Sequence, residues 1–288
     1  MGNLVRFDWA VKKLLRDKAN FDVLEGFLSE LLSFDVKIEQ ILEGESNKQH
    51  KEDKFNRVDI LVRSEKDELM LVEIQNDAEI DYFHRILYGA SKLITEYIKE
   101  GDGYASIKKV VSISILYFRL GQGKDYIYEY DGKFVGKNLK DTLRPNSWQK
   151  GKFGITEVSD IFPRYYILKV NNFDDIAKNT LDEWIYFLKN SEVPINYKAK
   201  GLKEASEKLR IDHLSETERR EYERYKENRW IEKDVLETAE KKGAGKKQVE
   251  IAKTMINLNS DNHFISKATG LSVEQIEALR IGKNLEDE

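Results

Sequence analysis

The stretches RVDILV (57–62) and LMLVEIQ (69–75) decide how this chain is read. Each is an apolar run of strand length that carries a carboxylate. Asp59 stands amid Val58, Ile60, Leu61 and Val62, and Glu73 interrupts LMLV and Ile74. Glu73 and Gln75 are the only polar side chains of their run, and a separation of two residues points them to the same face of a strand. Strands buried on both faces tolerate such groups when they are paired, metal-bound or near a strand end. A lone carboxylate near a strand end is ordinarily solvated or salt-bridged. Three polar groups on neighbouring strands, on compatible faces, argue instead for a site. Carboxylates converging on one point can hold a divalent ion, which polarises a phosphate and activates water.

Working outward, the polar turn RSEKDE (63–68) joins the two runs as a hairpin. A third run, VVSISILYF (110–118), follows FHRILYGASKLITEYIKEG (83–101), which is expected to be a helix ended by Gly101. A strand that returns after a helical crossover implies a mixed sheet and an α/β class. Upstream, residues 7–32 read as helices, with Leu24, Phe27, Leu28 and Leu31 on one face and Asn20 as N-cap of the second. Segment 44–56 reads as a loop. Weaker strand signals, YIYEY (126–130) and RYYILKV (164–170), are assigned to the edge of the same domain, and LDEWIYFLKN (181–190) to a helix.

From Lys198 to Glu250 the composition turns to mixed charge. Glu216 with Arg220, and Glu237 with Lys241, have the spacing of exposed helical pairs. KKGAGKK (241–247) reads as a hinge. The tail reads as helix, turn, helix, with Gly270 at the turn and Ser272 as N-cap. Residues 264–279 resemble a helix-turn-helix, although Glu274 and Glu277 make the segment acidic and a packing hairpin fits it as well. The expected organisation is a core over 1–195, a charged helical extension over 196–245 and a small helical hairpin over 246–288.

The chain has 288 residues, 35% of them charged, a net charge of −4 and no cysteine. Thiolate sites are therefore excluded, and His50, His84, His213 and His263 lack zinc-ligand spacing. Any metal would sit on oxygen ligands, which suits magnesium or manganese. No secretory segment and no membrane-length apolar run is evident, so a cytoplasmic protein is expected. A local basic face can still bind nucleic acid on an acidic protein, because salt screens surface fields within about 10 Å.

The arrangement of VDILV, a hairpin and VEIQ resembles the PD-(D/E)XK nuclease fold, a restriction-endonuclease-like mixed sheet flanked by helices. The surrounding text is similar to the Rpn-like recombination-promoting nucleases, or PD-(D/E)XK nuclease family transposases. The blocks are FDWAVKKLL (7–15), LEGFLSELL (24–32), RVDILV (57–62), LVEIQ (71–75), FHRILYGASKLI (83–94) and the 101–116 stretch. The resemblance implies a metal-dependent DNA endonuclease with a link to recombination or mobile elements. It implies that Asp59 and Glu73 bind Mg2+ or Mn2+, with the carbonyl of Ile74 completing the shell. Gln75 takes the place of the usual lysine. An amide can orient water but supplies neither charge nor a proton. The fold also implies a glutamate on the first helix, for which Glu25 and Glu30 are the candidates. A homodimer would suit double-strand cutting by single sites.

Arg85 and Lys92 are candidates for phosphate contacts or plain surface charge. Tyr82, Tyr88 and Tyr97 are assigned to packing, and His84 to a structural or exposed role. The rival readings are a catalytically decayed nuclease fold that still binds DNA, for which Gln75 is the motive, and a helical scaffold or interaction protein, for which the charged helices are the motive.

Overall fold

The computed structural model describes residues 4–42, 60–130 and 132–281. Asp59 and the segment 44–56 lie outside the described residues. The chain divides into two compact units, Met1–Ser215 and Glu216–Glu288.

The first unit is built on one sheet of order β1-β2-β3-β4-β6-β5. The members are β1 (Ile38–Leu42), β2 (Ile60–Ser64), β3 (Leu69–Gln75), β4 (Val110–Leu116), β5 (Ile127–Tyr130) and β6 (Arg164–Lys169). β2 and β3 form the expected antiparallel hairpin, with Ile60 opposite Val72. β3, β4 and β6 are parallel neighbours, which puts the carboxyl ends of all three at the same end of the sheet. β1 and β5 are antiparallel edges. Every residue of β4, and all of β3 except Gln75, is buried, so both faces of the central strands are covered.

Helix α3 (Tyr82–Tyr97) crosses from β3 to β4 and covers one face. Its Ala90 and Leu93 pack with Leu61, Leu69, Leu71 and Val110. By strand alternation, Glu73 and Gln75 share that face with Leu69 and Leu71. α3 stops at Tyr97, short of the expected end at Gly101. Ile98 turns to an extended conformation, and the Asp102 carboxylate accepts the Lys99 amide at 2.9 Å. A side-chain turn ends this helix, and Gly101 at φ +91° serves the turn after it.

α1 (Phe7–Lys13), α2 (Phe21–Leu32) and α5 (Thr180–Asn190) meet through aromatic rings. Phe7 lies edge-on to Phe27 at 5.7 Å and to Trp184 at 6.1 Å. Asn20 does precede α2, but its side chain donates to the Leu14 carbonyl instead of capping the helix. The unit extends past the expected boundary near 195. Ala199, Leu202, Ala205 and Leu209 are buried, and the Val5 amide bonds the Leu209 carbonyl at 2.8 Å. α6 (Leu202–Lys208) can lie on α2 because Gly26 faces Gly201. A Cβ built on Gly26 would stand 2.4 Å from the Lys200 carbonyl oxygen and from the Gly201 Cα.

The second unit holds α7 (Glu216–Asn257), α8 (Asn262–Thr269) and α9 (Val273–Arg280). α7 runs unbroken through 241–247, where a hinge was expected. A helical glycine costs only about 1 kcal/mol relative to alanine, too little for two glycines to interrupt 42 residues of helix. Glu216 pairs with Arg220 as the spacing predicts, whereas Glu237 and Lys241 lie outside the described side chains. The tail is the expected pair of helices, turned at Gly270 (φ +77°) and capped by Ser272. Ile265, Leu271, Ile276 and Leu279 pack on Ala252 of α7, and Gln275 is engaged in the Ser272 capping box. No described helix is long and apolar enough to cross a membrane.

Candidate active site

Glu73 and Gln75 lie at the carboxyl end of β3, where the parallel strands β3, β4 and β6 all finish. Open α/β sheets bind ligands at such ends. Glu73 is buried at 3% exposure, while Gln75, two residues on, is partly open to solvent. Across the parallel ladder Glu73 stands opposite Ser114, itself buried. Ile60 pairs with Val72, the residue before Glu73, so the described start of β2 runs beside this end of β3.

α3 brings two more polar groups over the same face. The Arg85 guanidinium lies 3.6 Å from the Glu73 carboxylate and 2.7 Å from that of Glu79. Burial opposes its charge, but Glu73 and Glu79 outweigh burial and raise its pKa. Tyr82 is fully buried, edge-on to Phe118 at 5.7 Å. Its hydroxyl lies beside Ser114 without a well-formed hydrogen bond, and burial, followed by the Glu73 charge, drives its pKa upward. Tyr82 packs as expected and also contributes a hydroxyl to the surroundings of Glu73. Tyr97 packs against the α3 core, Tyr88 is exposed, His84 is exposed, and Lys92 pairs with Glu96 at 3.6 Å.

The helix glutamates are engaged elsewhere. Glu25 accepts the buried Ile38 amide at 2.9 Å and Lys37 Nζ at 2.7 Å. Ile38 faces Ser64 in the ladder, and the Ser64 amide bonds the Glu68 carbonyl. That row lies at the far end of β3 from Glu73, roughly 17 Å away at about 3.3 Å per strand residue. Glu30 accepts from Thr180 Oγ1 at 2.6 Å and from the Lys200 amide at 2.9 Å, tying α2 to α5 and to the segment before α6.

Sequence reasoning missed Asp8. On α1 it is 1% exposed, and its carboxylate accepts Asn76 Nδ2 at 3.0 Å, just beyond Gln75. Arg6 donates to both Asp8 and Asn76 and lies over the Tyr117 ring at 4.9 Å. The Tyr117 amide in turn bonds the Gln75 carbonyl at 2.9 Å. A signal was available. Asp8 sits between Phe7 and Trp9, followed by Ala10 and Val11, so it is a carboxylate in an apolar run, as Glu73 is.

A family model described as PD-(D/E)XK nuclease family transposase matches residues 5–239. The chain belongs to this family. Its six-stranded mixed sheet flanked by helices is the restriction-endonuclease-like fold expected from the sequence. Membership supports a nuclease- or transposase-related function, and nucleases of the family's kind generally use divalent metals on DNA. No curated protein and no solved structure matched the chain. Among the described residues no group of three or more His, Cys, Asp or Glu converges on one point, and Asp59 is not among them.

Proposed function

We propose that the chain hydrolyses DNA phosphodiester bonds with Mg2+ or Mn2+ at the carboxyl end of β3. The observation that carries this reading is Glu73, buried in an otherwise apolar strand at the end of three parallel strands, with Arg85 at 3.6 Å. The donors fit a hard cation. The Glu73 carboxylate and the Ile74 carbonyl both offer oxygen donors. Asp59 and Glu73 would hold the ion, with the Ile74 carbonyl beside them. When bound, the ion supplies Lewis-acid polarisation of the phosphate and a lowered pKa for water.

The chain's own groups do the rest. Gln75 accepts from and donates to a water at the strand end, fixing its direction of approach. It brings no charge, so Arg85 supplies the cation that a lysine at position 75 would have supplied. Ser114 and Tyr82 limit the volume around the Glu73 carboxylate. The Arg6–Asp8–Asn76 cluster anchors the chain directly after Gln75. Glu25 and Glu30 act as structural ties. The family's transposase description suits a role in DNA rearrangement, and the reading further proposes a cytoplasmic setting and a homodimer for double-strand scission.

The test is cleavage of supercoiled plasmid with magnesium, manganese or chelator, beside Asp59→Ala and Glu73→Ala. Cutting that needs the ion and is lost in both variants supports the reading. Cutting that survives both sinks it. DNA binding without any cutting points to a decayed fold, and neither binding nor cutting points to a scaffold.

A further inference from the structure

A groove of about 680 Å³ opens between α3 and strands β5 and β6. Rings line it: Phe83 from α3, Tyr128 and Tyr130 from β5, and Phe134, Phe162 and Tyr165 around them. Four of these rings are open to solvent, Phe83 at 52%, Tyr130 at 60%, Phe134 at 48% and Phe162 at 43%. The Phe134 and Phe162 rings lie 5.3 Å apart between centroids. Exposed apolar patches of this kind mark interaction sites.

Glu129 and Lys133 are the charged residues of the groove's lining, and the chain that leaves its rim at Lys133 and Phe134 is strongly basic. Residues 132–153 carry six Lys and Arg against one Asp, in a protein whose net charge is −4. Residues 134–143 fold back as a small hairpin. The Leu143 amide bonds the Phe134 carbonyl at 2.9 Å, and the Gly136 amide bonds the Asp141 carbonyl at 2.8 Å. Lys137 and Lys140 are thereby carried on its turn, the latter at φ +59°. Lys133 lines both this groove and a smaller hollow of about 230 Å³ that Arg144 also borders. Beyond Pro145 lies α4 (Ser147–Phe153), where Trp148 is 64% exposed and Lys152 Nζ stands 4.7 Å from its ring. Phe83 and Leu87 reach the groove from α3, the helix whose Arg85 lies at Glu73.

We infer that the groove and the basic segment that leaves its rim take an unpaired strand of DNA, bases stacking on the rings and phosphates meeting the lysines of that segment. This rests on the DNA-hydrolase reading and names the form of substrate. Exposed rings set among cations fit a polynucleotide strand, because every base offers a face to stack and every phosphate a charge. In a duplex those faces are already stacked on each other, so an unpaired strand is the form that the rings select.

The experiment is fluorescence anisotropy with the full chain in chelator, so that cleavage does not intrude. The probes are a labelled oligothymidylate and a blunt duplex of the same length. The oligothymidylate binds about tenfold more tightly than the duplex, and Phe134→Ala and Trp148→Ala each weaken it about tenfold. A Lys137→Glu, Lys140→Glu pair lowers the slope of log affinity against log salt by about 1.4. Unchanged thermal unfolding of each variant shows that the surface, not the fold, was altered. Tighter binding of the duplex, or variants that bind as the parent does, overturns the inference. Metal-dependent plasmid cutting measured alongside keeps the two readings apart. Cutting with unaffected variants removes this inference alone, while ring-dependent strand binding without cutting removes the hydrolase reading alone.

Discussion

Replacing Glu25 with alanine separates a structural glutamate from a catalytic one. Two bonds are lost. The first is to the buried Ile38 amide at 2.9 Å, and a buried N–H left without a partner costs about 1–3 kcal/mol. The second is to Lys37 at 2.7 Å, whose side chain is 51% exposed, so solvent screens it and it contributes at most about 1 kcal/mol. The expected destabilisation is about 2–3 kcal/mol, which lowers the melting temperature of a unit of this size by roughly 5–10 °C. Thermal unfolding followed by circular dichroism would compare the parent, Glu25→Ala, Lys37→Ala and the double variant. Lys37→Ala alone should cost under about 1 kcal/mol and become neutral in high salt. The Glu25→Ala loss should be the same in chelator and in manganese, because its carboxylate is held at the far end of β3 from Glu73. An unchanged melting temperature, or a loss seen only with manganese, would refute this reasoning and return Glu25 to the metal.

Three further outcomes follow from the same structure. Gly26→Ala drives a Cβ into the Lys200 and Gly201 backbone at 2.4 Å and should destabilise the first unit by about 1–3 kcal/mol, read by thermal unfolding. A neutral result would mean that α6 does not rest on α2. Arg85→Ala takes a guanidinium from beside the buried Glu73 carboxylate. Stability should fall in chelator and recover as manganese is added, with plasmid cutting about 100-fold slower. Loss of stability unaffected by manganese would argue against an ion at Glu73. Burial and a hydrogen bond to Glu129 push Tyr166 up to about 12, from the ordinary tyrosine value near 10. A pKa raised in the folded state gives stability that is complete below pH 10 and is lost as pH rises through about 12. A denaturant midpoint that holds steady across that interval would contradict this.

The central strands were legible because their apolar runs are continuous. β3 and β4 are buried on both faces, and such strands announce themselves without any periodicity. β1, reading IEQIL, is not evident from sequence because it is short and only one of its five residues is buried, so no continuous apolar run marks it. The stop of α3 was misplaced because the turn residue that ends it is Asp102, a side-chain effect that a glycine rule does not see. The first unit was cut short near 195 because charge density hid the spaced apolar residues Ala199, Leu202, Ala205 and Leu209.

The candidate site was legible in proportion to its dependence on single strands. Glu73 and Gln75 share a face by parity alone, and β3 is where the expectation put it. Arg85 and Tyr82 reach Glu73 only through the placement of α3 on the sheet, which no local pattern encodes. Asp8 required knowing that α1 ends up beside Asn76, sixty-eight residues along the chain. Glu25 and Glu30 looked alike in sequence and differ only in what they hold, the start of β1 in one case and the segment before α6 in the other.

The measurement closest to the central claim is manganese binding by isothermal titration calorimetry on the full chain, with Asp59→Asn, Glu73→Gln and Glu25→Gln beside it. The account predicts that the first two variants weaken binding at least about tenfold, as expected when a carboxylate ligand is neutralised, while Glu25→Gln binds as the parent does. Equal binding by the parent and Glu73→Gln would contradict it.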